Sequence, residues 1–342
     1  MSIIFSKKLA TNSNQLRVMN SQWKEVEALR RQSHKDMQQF LQMTGNAAQS
    51  PAEAYREFDQ TTKIDMVPAG EHATLTRLLQ NPRSVDIGRE VFEYRKATRA
   101  GRAQSSMSGQ IGVKMDHVDY DYAGTVIPIH DAGFGRRWRE VLSMKAEGFD
   151  ATVDDSRESE RTLMDKMDDY LWDGNANLAL KGRVWLGLKN DPTVANATLG
   201  VDLASIASTP QEIRDEVRRV RDILYITNNC AKPLTLGISR EIASNWERVF
   251  STAEGTFGTI EDMIRNLRGI AEIYEDSRLV GNQLTMYWND QQGFHSVVGM
   301  AMATYAVPRT QYNDDFNFIK AAAAGFLSRN DDQNRTCALY GE

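Results

Sequence analysis

The nearest approach to a chemical motif in this sequence is the glycine pair Gly133 and Gly135, which stands just before Arg136 and Arg137. In a dinucleotide-binding fingerprint, such glycines let the backbone approach a pyrophosphate at a helix N-terminus, but a third glycine and a βαβ context are required. Neither is found here. The sequence also lacks Walker A, His-Glu-x-x-His, Gly-x-Ser-x-Gly and EF-hand patterns. We therefore predict no catalytic residue, no cofactor and no enzyme activity.

The histidines give no metal-binding pattern. They fall in different predicted elements, and none has a histidine or cysteine at ligand spacing: His34, His72, His117, His130 and His295. We interpret each as a surface residue or a satisfied core residue, and we predict no metal site.

Three carboxylates on one predicted helix, Asp165, Asp168 and Asp169, resemble paired catalytic acids. Arg161 and Lys166 lie beside them in the helical register, which favours a solvated helix face instead.

The only cysteines are Cys230 and Cys337. They are too few and too far apart in sequence for a disulfide framework or a cysteine zinc site. We predict two reduced thiols in a cytosolic setting.

Two basic groups are candidates for binding rather than catalysis. Arg30, Arg31 and Lys35 lie together on the first predicted helix and are candidates for facing DNA, with a solvated helix face as the alternative. Along a later extended segment, basic residues are predicted to contact a neighbouring copy of the chain, with simple solvation as the alternative. They are Arg89, Arg95, Lys96, Arg99 and Arg102.

The bulk composition is that of an ordinary globular protein. Hydrophobic residues make up 41% and charged residues 25% of 342 residues, with a formal net charge of -5. Charges of both signs are well mixed, so no whole-protein field indicates a nucleic-acid partner. Because no apolar run approaches a signal sequence or the roughly 20 residues that cross a bilayer, we predict a soluble protein with no membrane partner.

Apolar periodicity predicts a helical N-terminal arm over residues 1–83. Residues 14–44 carry apolar side chains at spacings of three and four, which indicates an amphipathic helix. Ser50 and Pro51 predict the start of a second helix, and residues 74–79 a third.

The pattern then changes to that of an extended two-stranded arm over Ser84 to His130. Apolar residues alternate with polar ones on the return limb, where Val118, Tyr120 and Tyr122 share one face. The segment between the limbs is small, polar or basic and buries little on its own. We predict that the arm contacts another subunit through the basic residues of the first limb and this aromatic face.

After a predicted loop at Gly133 to Gly135, residues 152–173 have the strongest helical pattern of the chain. They lie in a predicted domain 131–204. A mixed module follows at 205–310, and return strands at 311–342 are predicted to rejoin the first of these domains. The fold class is α+β.

The turn Asp173-Gly174-Asn175 at the end of the long helix, followed by Trp185-Leu186-Gly187-Leu188, resembles a feature of tailed-phage major capsid proteins. Together with the order of elements, it is similar to the Hong Kong 97-type fold, which encapsulin shells share. The resemblance implies an N-terminal arm, an extended loop at 84–130, a peripheral domain with a spine helix and an axial domain.

The same resemblance implies a function. Members of this family self-assemble as pentamers and hexamers into an icosahedral shell that encloses double-stranded phage DNA. The expected partners are other copies of the chain, scaffold and portal proteins, and the genome through weak non-specific contact. The expected location is the virion capsid, after assembly in the host cytoplasm.

Two other functions stay open at this point. An encapsulin-type compartment around protein cargo would have the same fold, and the neighbouring genes would distinguish it from a phage shell. An α+β enzyme whose site is assembled from scattered residues would leave no motif.

Overall fold

The computed structural model describes residues 13–43, 66–101, 103–108, 112, 115–147, 150–251 and 257–342. The chain divides into two units, residues 1–62 and 63–342. In the first unit, helix α1 runs Ser13–Met43, which confirms the first predicted helix. The helix predicted to start at Ser50 and Pro51 lies outside the described residues.

The second unit contains six helices among its described residues: α2 Ala73–Gln80, α3 Trp138–Glu147, α4 Thr152–Asp173, α5 Pro210–Asp222, α6 Arg240–Trp246 and α7 Ile260–Arg265. A five-residue π-helical turn, Ile223–Thr227, extends α5. No helix in the described part of the chain is both long and apolar enough to cross a membrane.

The same residues of the second unit contain thirteen strands: β1 Arg83–Ser84, β2 Val91–Ala97, β3 Tyr120–Val126, β4 Ile129–Arg136, β5 Ala195–Ala197, β6 Leu234–Ile238, β7 Val249–Ser251, β8 Phe257–Thr259, β9 Ile270–Glu275, β10 Leu284–Tyr287, β11 Phe294–Ala306, β12 Phe316–Ser328 and β13 Ala338–Gly341. A four-stranded sheet has the order β1-β11-β12-β4, and a five-stranded sheet has the order β5-β13-β10-β6-β9. The pairs β2–β3 and β7–β8 form two separate ribbons.

Helix α4 packs along the four-stranded sheet and carries the main core of the second unit. Leu163, Met167 and Leu171 recur every four residues and are fully buried, as the sequence pattern predicts. Tyr170 packs against Phe326 of β12. Each such side chain stabilises the fold by roughly 1.5–3 kcal/mol through its removal from water.

The C-terminal end of α4 is held by a close crossing of two backbone segments. Gly174 and Gly187 both have positive φ angles, 65° and 89°, and a Cβ at Gly187 would overlap the carbonyl carbon of Asp173. The Leu188 amide donates to the Leu171 carbonyl at 2.9 Å, and the Trp185 ring N–H donates to that carbonyl at 3.2 Å. The glycines thus allow the chain after α4 to turn back and pack Trp185 into the core.

The five-stranded sheet has a second core under α5, α6 and α7. Helix α5 begins with a capping box, in which Thr209 and Glu212 satisfy each other's backbone amides. Its buried residues Ile213, Val217 and Val220 face this sheet at spacings of three and four.

Two predicted features differ in the structure. Gly133 and Gly135 lie in strand β4 rather than in a loop, since Gly135 without a side chain can approach Phe316 and Asn317 of β12. Strand β11, placed by prediction in the module 205–310, joins the four-stranded sheet through its long pairing with β12. Strand β13 lies in the five-stranded sheet between β5, which is within the predicted domain 131–204, and β10, which is within the predicted module 205–310.

The prediction of two reduced cysteines is wrong, because Cys230 and Cys337 form a disulfide with a Cα–Cα distance of 5.6 Å. Cys230 precedes β6, and Cys337 precedes β13. Both strands pair with β10, which brings two residues 107 positions apart in sequence together.

We predict that Gly187→Ala destabilises the subunit by roughly 3 kcal/mol or more, because the methyl group meets backbone that cannot move aside. Gly182→Ala is the matched control: Gly182 also has a positive φ, 75°, but its Cβ would point into open space. The control is expected to cost about 1 kcal/mol. Urea unfolding monitored by tryptophan fluorescence measures both, and equal losses would contradict the close crossing.

Reduction of the disulfide is expected to lower the free energy of unfolding by up to ~4 kcal/mol, since the bridge closes a loop of about a hundred residues in the unfolded chain. Thermal unfolding with and without reductant measures the loss. The double variant Cys230→Ala, Cys337→Ala should have the melting temperature of the reduced wild type, and reductant should not change it. A wild-type melting temperature that is unchanged by reductant would contradict this expectation.

Candidate functional site

The candidate functional site is an arm that projects from the four-stranded sheet. Strands β2 and β3 pair antiparallel from Val91↔Val126 to Ala97↔Tyr120 and form its base. The described residues between Ala97 and Tyr120 form its tip. The paired part is shorter than the predicted Ser84 to His130, because Ser84 pairs with β11 and His130 with β12. Both ends of the arm are therefore fixed in the same sheet.

Tyr94 anchors the inner face of the arm to the body. Its hydroxyl donates to Asn330 Oδ1 at 2.6 Å and accepts from the backbone N–H of Asn330 at 2.9 Å. The Arg329 guanidinium lies over the Tyr94 ring, 5.1 Å from its centroid. This doubly used hydroxyl sets the position of β2 against the loop after β12.

Arg183 makes a second anchor from the segment that follows α4. Its guanidinium donates to Glu93 Oε1 at 2.8 Å and to the Tyr122 carbonyl at 2.7 Å, so it contacts both strands of the arm. The position of the arm is thereby tied to the turn at the end of α4.

The apolar root of the arm lies at Phe92, which packs against a small cluster under β11 and β12. The His295 ring lies edge-on to Phe92 with ring centroids 6.5 Å apart. Burial and the nearby positive charge of Arg329 lower the pKa of His295 to about 4. His295 is therefore neutral at pH 7, as its buried position beside Phe92 requires.

The outer part of the arm has little support from its own subunit. The described tip residues 98–101, 103–108, 112 and 115–119 form no strand and are largely exposed. Their contacts include the Gly101 amide on Asp116 and backbone and side-chain hydrogen bonds between Thr98 and Asp119. A two-stranded ribbon of this kind is marginally stable in water by itself.

One face of the ribbon combines aromatic and basic residues. Arg95 is directly opposite Tyr122, and Ala97 is opposite Tyr120, so these residues share a face. Tyr120 is 61% and Tyr122 50% exposed, and the Arg95 guanidinium lies 6.0 Å from the Tyr120 ring centroid. Tyrosine and arginine are enriched in the energetic centres of protein interfaces.

The other predicted arm residues take different positions. Lys96 is on the opposite face, across from Asp121, and Val118 lies just outside the paired strands. Arg89 and Arg99 are exposed at the two ends of β2. Arg102 lies outside the described residues.

The basic group of α1 is exposed on that helix. Arg30, Arg31 and Lys35 all have solvent-accessible side chains, and Arg31 pairs with Glu27 one turn earlier at 2.9 Å. The Glu27 carboxylate thus partly neutralises the positive charge of the basic group that is predicted to face DNA.

A second exposed apolar surface lies on the face of the four-stranded sheet that points away from α4. Ile319 is directly opposite Tyr305 of β11, and Ile129 extends the same face on β4. These side chains are 40%, 49% and 62% exposed, respectively. Exposed large apolar side chains on one face of a sheet are candidates for contact with a partner.

Sequence reasoning missed the anchors and one further cluster. Tyr94 and Asn330 are 236 residues apart, and no local pattern relates them. Glu71, His72 and Asp165 also meet in space, and Asp168 is buried although a solvated face was predicted. Glu71 and His72 precede α2, and Asp165 and Asp168 lie on α4, so only the packing of α2 against α4 brings the four side chains together.

Comparison with protein families gives one match over residues 46–341, described as a family of unknown function (DUF6260). The chain belongs to this family. No curated protein matches it.

Comparison with solved structures shows what fold this family member has. The capsid of Myoviridae Phage XM1 is 9% identical with a TM-score of 0.63, over 86% of this chain and 99% of that one. The structure from Microbacterium phage Oxtober96 is 10% identical with a TM-score of 0.58, over 85% of this chain and 98% of that one. The capsid of an empty GTA particle is 15% identical with a TM-score of 0.52, over 86% of this chain and 98% of that one. The predicted Hong Kong 97-type α+β fold is confirmed.

Tyr94→Phe is expected to loosen the arm, since it leaves Asn330 without its partner at a cost of about 1–2 kcal/mol. Amide hydrogen exchange within β2 and β3 should speed up roughly 5–30-fold. Tyr120→Phe removes an exposed hydroxyl from the same ribbon and serves as the control, with unchanged exchange. Equal exchange rates in both variants would contradict the anchoring role of Tyr94.

Proposed function

We propose that this chain is the major capsid protein of a tailed phage, a non-enzymatic subunit that assembles into an icosahedral shell around double-stranded DNA. The observation that carries the proposal is the arm. Its base is fixed to the body by Tyr94 and Arg183, while Tyr120, Tyr122 and most of the described residues of its tip are exposed. Such an element gains stability when a neighbouring copy covers it.

The surfaces of the subunit support repeated self-association. Two separate faces expose large side chains. One is the aromatic and basic face of Arg95, Tyr120 and Tyr122, and the other is the face of the four-stranded sheet with Ile129 and Ile319. A closed shell needs several different contacts between identical copies, since each subunit touches several neighbours. We propose pentamers and hexamers as the units of that shell.

The fold likeness supports the same function, because two of the matched structures are described as capsids. A net charge of -5 fits a shell that contacts the enclosed genome weakly, with Arg30, Arg31 and Lys35 as proposed contacts. We propose scaffold and portal proteins as assembly partners, and the virion capsid, assembled in the host cytoplasm, as the location. Nuclease-resistant DNA in purified particles would distinguish this shell from a compartment that encloses protein cargo.

Replacing both tyrosines, Tyr120→Ser with Tyr122→Ser, is expected to block assembly while the subunit stays folded, since both side chains lie outside its core. Size-exclusion chromatography and negative-stain microscopy should show particles for the wild type and unassembled subunits for this variant. Circular dichroism checks the fold.

The matched control is Tyr120→Phe with Tyr122→Phe, which keeps both rings and should assemble. Deletion of Arg99 to Gln110 should likewise leave the body folded and stop assembly. Particles formed by the serine variant and by the deletion would contradict the role of the arm. A wild type that stays monomeric both with and without a scaffold protein would contradict the proposed function itself.

A further inference from the structure

A cluster of metal-ligand groups lies where the turn before α2 meets α4. Donor atoms of Glu71, His72 and Asp165 all fall within 4.8 Å of one another. Asp165 is on α4, 93 residues after His72, so this cluster exists only because α2 packs against that helix. We refer to these three residues as the Glu71 cluster.

The His72 ring lies between two carboxylates, and each of its nitrogens is close to one of them. The residue is 8% exposed, and neither ring nitrogen makes a hydrogen bond of acceptable geometry within the described residues. Its Nε2 atom lies 3.3 Å from Asp165 Oδ1. Two ligands bound tetrahedrally at 2.0–2.1 Å from one ion stand about 3.4 Å apart, so the observed spacing fits one shared metal ion.

The other ring nitrogen of His72 faces a buried carboxylate. Nδ1 lies 3.4 Å from Asp168 Oδ2, and Asp168 is 1% exposed. Asp168 also has two other charged neighbours, Asp276 and Arg278, and the Arg278 Nε atom lies 3.6 Å away. Metal-binding histidines commonly direct their second nitrogen to such a carboxylate, which fixes the ring and raises its basicity.

The third group, Glu71, is held in place by Arg161. The guanidinium donates to Glu71 Oε1 at 2.9 Å and leaves the other carboxylate oxygen for a further ligand. The side chain of Asp165 is 59% exposed, so an ion can enter from solvent. Carboxylates and imidazole together provide the oxygen and nitrogen ligands that zinc accepts.

We propose that Glu71, His72 and Asp165 form a Zn²⁺ site, with Asp168 as the positioning residue behind His72 and solvent as the fourth ligand. The bound ion joins the turn before α2 to the side of α4. It thereby stabilises the subunit independently of whether the chain forms a shell.

Titration of the purified full-length chain with zinc chloride, followed by calorimetry, tests the site. The wild type should bind one zinc ion per chain. His72→Gln and Asp165→Asn should weaken binding at least 10-fold, and Asp168→Asn by roughly 10–100-fold as an outer partner. Zinc should also raise the melting temperature of the wild type but not that of Asp165→Asn.

His117→Gln is the matched control, because exposed His117 also lies 3.2 Å from an aspartate, Asp119, but outside any such cluster. It should bind zinc as the wild type does. Since Asp165 is mostly exposed, Asp165→Asn decides the question even where His72→Gln does not fold. The proposal is overturned by wild-type affinity in folded Asp165→Asn, by loss of binding in His117→Gln, or by tighter binding of Mg²⁺ or Ca²⁺ than of zinc.

Discussion

The docking of helix α4 on the four-stranded sheet, with its end held by the crossing of Gly174 and Gly187, is the constraint on which the rest of the structure depends. The helix buries Leu163, Met167 and Leu171 against the strands from which the arm projects. The glycine crossing directs the following segment back along the helix. That segment carries Arg183, so the position of the arm is set by the same packing.

The arm is held to the body at its base, whereas its outer part is largely exposed. Tyr94 and Arg183 fix its base through hydrogen bonds that use both strands. Beyond Ala97 the ribbon has few contacts with its own body, and its tyrosine face is open. A fixed base limits the directions in which the arm can reach a neighbour, which reduces the conformational entropy lost on association.

Features governed by local periodicity were predictable from the sequence. Helix α4 lies close to its predicted bounds, residues 152–173, because its apolar spacing reflects one buried face. Features that depend on tertiary pairing were not. The edge strand β4 has glycines that indicate a loop, and β11 was separated from the four-stranded sheet since its partner β12 comes later in the chain.

The same distinction applies to the candidate sites. Alternation predicted the shared face of Tyr120 and Tyr122, yet no pattern relates Tyr94 to Asn330 or His72 to Asp165.

The central claim is that a neighbouring subunit covers the arm. An electron cryomicroscopy reconstruction of the assembled particle tests it most directly. The account predicts that the Tyr120 and Tyr122 face packs on another subunit. An arm folded onto its own subunit, or left in solvent within a closed shell, would contradict it.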